Sequence, residues 1–209
     1  MRSRDFWSRV PQCMLGLVGV GLGAALMLDA GVGVAPWDVF HQGIHNHTGI
    51  PIGTISILVG FALFLLWIPL KQRPGAGTVL NVFTIGLAID AFLAVPFEPH
   101  GLVFRVACCV VGDVVIAASG GLYIGAGLGA GPRDGLMTGL VARGYPLRTV
   151  RAAMELTVLA AGWLLGGNVG FGTVLFAVTV GPILHFVLHR VDRGVLAPQR
   201  PEVEPTFPN

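Results

Sequence analysis

From Thr48 to Leu70 the chain runs for 23 residues without one charged side chain. About 20 apolar residues let a helix cross the hydrocarbon core of a bilayer. Inside that core backbone polar groups must be satisfied within the element itself, which leaves helices or closed barrels. The whole chain is 54% hydrophobic and 11% charged, with a mean hydropathy of +0.76, whereas roughly a quarter of a soluble domain is charged. This is the composition of a polytopic membrane protein, with the lipid bilayer as its first partner. The net charge is only +2, and 12 of the 13 cations are Arg, set in short clusters between apolar runs. No basic stripe is available for nucleic acid. Cys13, Cys108 and Cys109 all lie in apolar runs and read as helix-packing residues rather than as a disulfide framework or zinc site.

Six apolar spans are expected, at about 12–29, 52–70, 78–96, 104–125, 149–166 and 172–190. Cytoplasmic loops are enriched in Lys and Arg. With six spans and both termini inside, the cytoplasmic side collects Arg2, Arg4, Arg9, Lys71, Arg73, Arg133, Arg143, Arg148, Arg151, Arg190, Arg193 and Arg200, and the other side only Arg105. Met1–Leu28 also has the pattern of a signal peptide, but it corresponds to an internal span in the duplication described next and reads as a retained first helix. The expected division is a cytoplasmic segment 1–11, two three-span units at 12–96 and 97–190, and a disordered cytoplasmic tail at 191–209, where Pro198, Pro201, Pro205 and Pro208 stand among polar residues.

The two units are copies. At an offset of 96, Gly31, Gly33, Pro36 and Asp38 match Gly127, Gly129, Pro132 and Asp134. At an offset of 95, Gly49, Pro51 and Thr54 match Gly144, Pro146 and Thr149, and Gly75, Gly77, Thr78, Val79, Leu80, Thr84 and Gly86 match Gly170, Gly172, Thr173, Val174, Leu175, Thr179 and Gly181. A unit of three spans is odd, so its second copy enters the membrane from the opposite face. The fold class expected is therefore all-α, with six transmembrane helices arranged as two inverted three-helix repeats.

Each copy also contains a short extra helix. Gly31-Val-Gly-Val-Ala-Pro-Trp-Asp38 and Gly127-Leu-Gly-Ala-Gly-Pro-Arg-Asp134 end a span in flexible residues and restart with Pro and then Asp, the grammar of a helix N-terminus. The restarted helices, about 36–47 and 132–143, are too short to cross the membrane and are either re-entrant or interfacial. Matched breaks of this kind mark the binding site in many transporters. Helix capping alone would also account for the two acids.

The blocks Gly33-Val-Ala-Pro-Trp-Asp-Val39, Ile124-Gly-Ala-Gly-Leu-Gly-Ala-Gly-Pro-Arg-Asp-Gly-Leu-Met137 and Thr149-Val-Arg151 resemble the YczE-like family of bacterial integral membrane proteins, which is related more loosely to YitT-like proteins. The resemblance runs from about Arg9 to Arg193 and implies a bacterial cell-membrane location. It supplies no site residues.

Asp90, Asp113 and Glu155 lie inside apolar spans, where ionisable groups are costly and commonly couple ions or protons. Arg151 stands one turn before Glu155 and can neutralise it. Asp113, near mid-span with no cation in its own helix, is the best of the three. Asp38, His41 and His45 fall on one helix face, yet no second His cluster or Cys completes a metal site, and an interfacial histidine-rich turn is the simpler reading. Thr78 and Thr173 follow Gly and can cap helix starts. No grouping supports hydrolase chemistry, and neither catalytic residues, metal nor cofactor is expected.

The leading expectation is a transporter of an unidentified small solute or ion. Asp38, Asp134, Pro36, Pro132, Arg133 and Asn81 would line its site, with Asp113, Asp90 and Glu155 as coupling groups. The alternative is a non-catalytic accessory protein that docks a partner through its basic cytoplasmic loops; a membrane enzyme ranks third. A homo-oligomer is compatible with either of the first two.

Overall fold

The computed structural model describes residues 3–72, 74–193 and 195. Among them every regular element is an α-helix: α1 Ser3–Ala30, α2 Pro36–Thr48, α3 Ile52–Leu70, α4 Ala76–Leu93, α5 Leu102–Gly125, α6 Pro132–Val141, α7 Leu147–Leu164 and α8 Phe171–Val191. A helix stands at each of the six expected spans and at both short segments. The first begins early, because the polar residues before Pro11 contain no helix breaker and Pro11 itself sits inside α1. Apart from 191–193 and 195, the tail expected to be disordered lies outside the described residues.

Five helices, α1, α3, α4, α5 and α8, are long and apolar enough to cross a membrane. The sixth expected span is not among them. Its helix, α7, has 18 residues but carries Arg148, Arg151 and Glu155, and only Val150 and Gly162 on it are buried.

Helices α1 and α5 form the centre and run antiparallel. A methyl on Gly23 would stand 2.6 Å from the Gly112 carbonyl oxygen, and one on Gly16 would stand 2.7 Å from that of Ser119. In lipid no hydrophobic force drives helices together, so small residues that admit close backbone contact supply the packing. Helix α4 packs on α1 and α8 on α5, while α2 rests on α7 and α6 on α3.

Contacts at matched positions come in pairs. The Gly77 amide donates to the Leu128 carbonyl at 2.9 Å, and the Gly172 amide to that of Val32 at 3.0 Å. Arg9 caps the end of α5 through Ala126, at 3.2 Å, as Arg105 caps the end of α1 through Ala30, at 2.6 Å. The Gly75 and Gly170 amides donate to Thr78 and Thr173 hydroxyls three residues on, at 3.0 and 3.2 Å. Gly33 and Gly129, which turn the chain into α2 and α6, share a left-handed backbone with φ of +107° and +133°, a conformation a β-carbon would oppose.

One pair is broken. Helix α3 lies on α4 so closely that a methyl on Gly53 would stand 1.9 Å from the Gly86 carbonyl oxygen. At the matched positions of α7 and α8 stand Arg148 and Gly181, and a methyl on Gly181 would meet nothing within 4 Å.

Candidate functional site

Asp90 secures the α3–α4 contact. Its carboxylate accepts the Gly53 amide at 2.6 Å, the Thr54 amide at 2.8 Å and the Thr54 hydroxyl at 2.8 Å, and so satisfies amides that the first turn of α3 leaves without partners. Its expected coupling role competes with this capping role. Glu155 pairs with Arg151 at 2.9 Å, with both side chains partly exposed.

The N-termini of α2 and α6 meet. Arg133, the second residue of α6, places its guanidinium carbon 4.6 Å from the centre of the Trp37 ring, the second residue of α2. Among the described residues the side-chain bonds of the two first-turn acids go elsewhere than to the amides of their own helices. Asp38 is buried and bonded to His41 at 3.3 Å, and the Tyr123 hydroxyl donates to Asp134. His41 Nε2 is buried and has no hydrogen-bond partner among the described residues. His45 turns away to the Ile50 carbonyl, 2.6 Å from its ring nitrogen. Among the described residues no three His, Cys, Asp or Glu side chains gather as a metal site.

Beside the start of α6 is a cavity of about 190 Å³. Its walls are Val20 from α1, Ser56 and Leu63 from α3, Asn81 and Ile85 from α4, Ile116 and Tyr123 from α5, Gly131 to Asp134 leading into α6, and Phe176 and Val180 from α8. The polar groups converge. Asn81 Nδ2, Asp134 Oδ2 and the Tyr123 hydroxyl each lie 3.2 Å from the point where a methyl on Gly131 would stand. Asn81, 9% exposed, makes no hydrogen bond to a described residue, and Arg133 makes neither hydrogen bond nor ion pair with one.

Of the expected binding residues, Asn81, Pro132, Arg133 and Asp134 are thus brought to one cavity, whereas Pro36 and Asp38 are not in its lining. Asp113, 1% exposed, sits behind the wall, one turn before Ile116. It accepts the Thr179 hydroxyl on one oxygen, and the other has no partner among the described residues. Tyr123 and Trp37 are additions that the sequence reading had not singled out. Trp37 was findable, because it aligns with Arg133 in the duplication.

Helices of this length and apolarity, packed through glycine around a small polar cavity, define a multi-pass membrane protein. Its residues 7–189 match a family of unknown function, DUF6198. The chain is 40% identical over 175 residues to an uncharacterized protein of Haemophilus influenzae, spanning 83% of this chain and 80% of that one. It is 38% identical over 177 residues to the uncharacterized membrane protein YczE of Bacillus subtilis, spanning 83% and 82%. It is also 25% identical over 193 residues to the B. subtilis protein YyaS, spanning 89% and 95%. The chain belongs to the YczE-like family. No solved structure matches it.

Proposed function

We propose that this protein is a small-solute transporter of the bacterial cell membrane, with both termini cytoplasmic, that works by alternating access of two inverted three-helix repeats. The observation that carries the reading is the cavity, built by helices of both halves, whose lining includes Arg133 and Asn81, side chains that make no hydrogen bond to a described residue. Polar groups left without protein partners at membrane depth are costly, and their usual use is to bind what passes. The paired contacts between matched residues support the repeat. The one broken pair supports the motion: α3 is closed on α4 while α7 stands off α8, and exchange of these two arrangements would open the cavity to the other face. Asp113, behind the cavity wall and bonded to Thr179, is the coupling group best placed to feel that exchange.

The accessory-protein reading draws on the exposed Arg143, Arg148 and Arg151. Uptake of small labelled solutes into proteoliposomes separates the two. The transporter reading expects saturable uptake of at least one solute that is lost in Arg133→Gln; absence of uptake across charged, zwitterionic and neutral solutes would favour the accessory role.

A further inference from the structure

Resting on the transporter reading, we propose that the cavity takes a small zwitterion, a solute carrying one amino group and one carboxylate. Arg133 and Asn81 hold the carboxylate, and Asp134 holds the ammonium.

Two opposite charges in the cavity lining do not neutralise each other. Arg133 and Asp134 are neighbours in the chain and line the same cavity, yet they form no ion pair. The guanidinium carbon lies over the Trp37 ring at 4.6 Å, and its N–H groups make no hydrogen bond to a described residue. A planar fork of that kind matches a carboxylate in two parallel hydrogen bonds. Asp134 receives the Tyr123 hydroxyl on Oδ2, the oxygen that lies at the point of convergence, and a carboxylate oxygen can accept a second donor. The Asn81 amide, nine-tenths buried and without a partner among the described residues, places its nitrogen at the point where the Asp134 and Tyr123 oxygens converge.

Charge then decides between ligand classes. A simple anion on Arg133 would face the Asp134 carboxylate with like charge, and a simple cation on Asp134 would leave the Arg133 fork without a partner. A zwitterion satisfies both. Asp38 also attracts Arg133, but it is bonded to His41 and does not line the cavity. The remaining walls, including Val20, Ile85 and Phe176, suit a short aliphatic portion. The volume of about 190 Å³ far exceeds the ~10–15 Å³ that one water needs and admits only a small solute.

The test measures binding to purified full-length protein in detergent, independently of flux. Glycine, L-alanine and β-alanine are titrated by calorimetry and thermal stabilisation, alongside propionate and ethylamine, which each keep one of the two charges. The expected result is that at least one zwitterion binds roughly tenfold or more tightly than either half-analogue, the size of one lost charge-assisted contact. Arg133→Gln should abolish that preference. Gly131→Ala should do so too, because its methyl fills the point where the polar groups meet; the backbone there, φ −63° and ψ 165°, accepts Ala, so this variant should fold. Equal binding of propionate or of ethylamine would overturn the zwitterion in favour of an anion or a cation site. No zwitterion binding, with proteoliposome uptake of another solute, would overturn the inference and leave the transporter reading standing. Zwitterion binding without uptake would keep the inference and remove transport.

Discussion

Arg133 stacks on Trp37 at 4.6 Å, and at the offset of 96 the two are the same position in the two copies. A residue touches its own counterpart only beside a twofold axis. The contact therefore locates the proposed pseudo-twofold at the starts of α2 and α6. In the proposed topology the far ends of these helices face opposite sides of the membrane. Helices of 13 and 10 residues lying flat on surfaces about 30 Å apart would not touch. Meeting at their N-termini, they fit the re-entrant arrangement.

This topology is testable by labelling. Single cysteines at His45 and at Arg143, near the far ends of α2 and α6, should react with an impermeant reagent from opposite sides of the membrane. Reaction of both from the same side would reject inverted repeats.

A glycine pair probes the asymmetry between the halves. Gly53→Ala forces a methyl against the Gly86 carbonyl and should destabilise the protein by about 1–3 kcal/mol, read as a lower thermal midpoint in detergent. Gly181→Ala meets open space and should leave stability unchanged or raise it by up to about 1 kcal/mol. It should nevertheless slow transport, because the methyl obstructs closure of α7 on α8. Full activity in Gly181→Ala would argue against that closure.

Capping assigns Asp90 to stability. Asp90→Ala strips three donors at the start of α3 and should cost about 2 kcal/mol, while Asp90→Asn, which keeps one acceptor oxygen, should cost less. Thermal unfolding of the two variants checks the order; equal, negligible losses would return Asp90 to the coupling candidates.

Asp113→Asn keeps volume and can still accept the Thr179 hydroxyl, but it cannot ionise. It should fold and lose transport or its pH dependence. An amide variant as active as the parent across pH would make Asp113 a structural residue.

What the sequence made legible follows from where the physics is local. The helix Ile52–Leu70 was readable to the residue because an uncharged run between Pro51 and Lys71 leaves no other structure in lipid. The two short helices announced themselves by Gly, Pro and Asp at fixed spacing. Arg9 and Arg105 are also related by 96 and make matching caps, yet each is a single residue with few matching neighbours, so the alignment passed over them. Tyr123 gave no signal, since one Tyr in an apolar span looks like core until Asp134 is found beside it. The gap between α7 and α8 was invisible because it depends on what Arg148 and Gly181 fail to touch, which no pattern along a single helix encodes.

Alternating access itself is tested most directly at the cavity wall. With Cys13, Cys108 and Cys109 replaced by Ala, a single cysteine at Ser56, which lines the cavity, is exposed to an impermeant thiol reagent added from one side and then, in a separate preparation, from the other. The account predicts labelling from both sides, with solute protecting against each. Labelling from one side only, unchanged by any solute, would contradict it and leave a membrane protein with a fixed pocket.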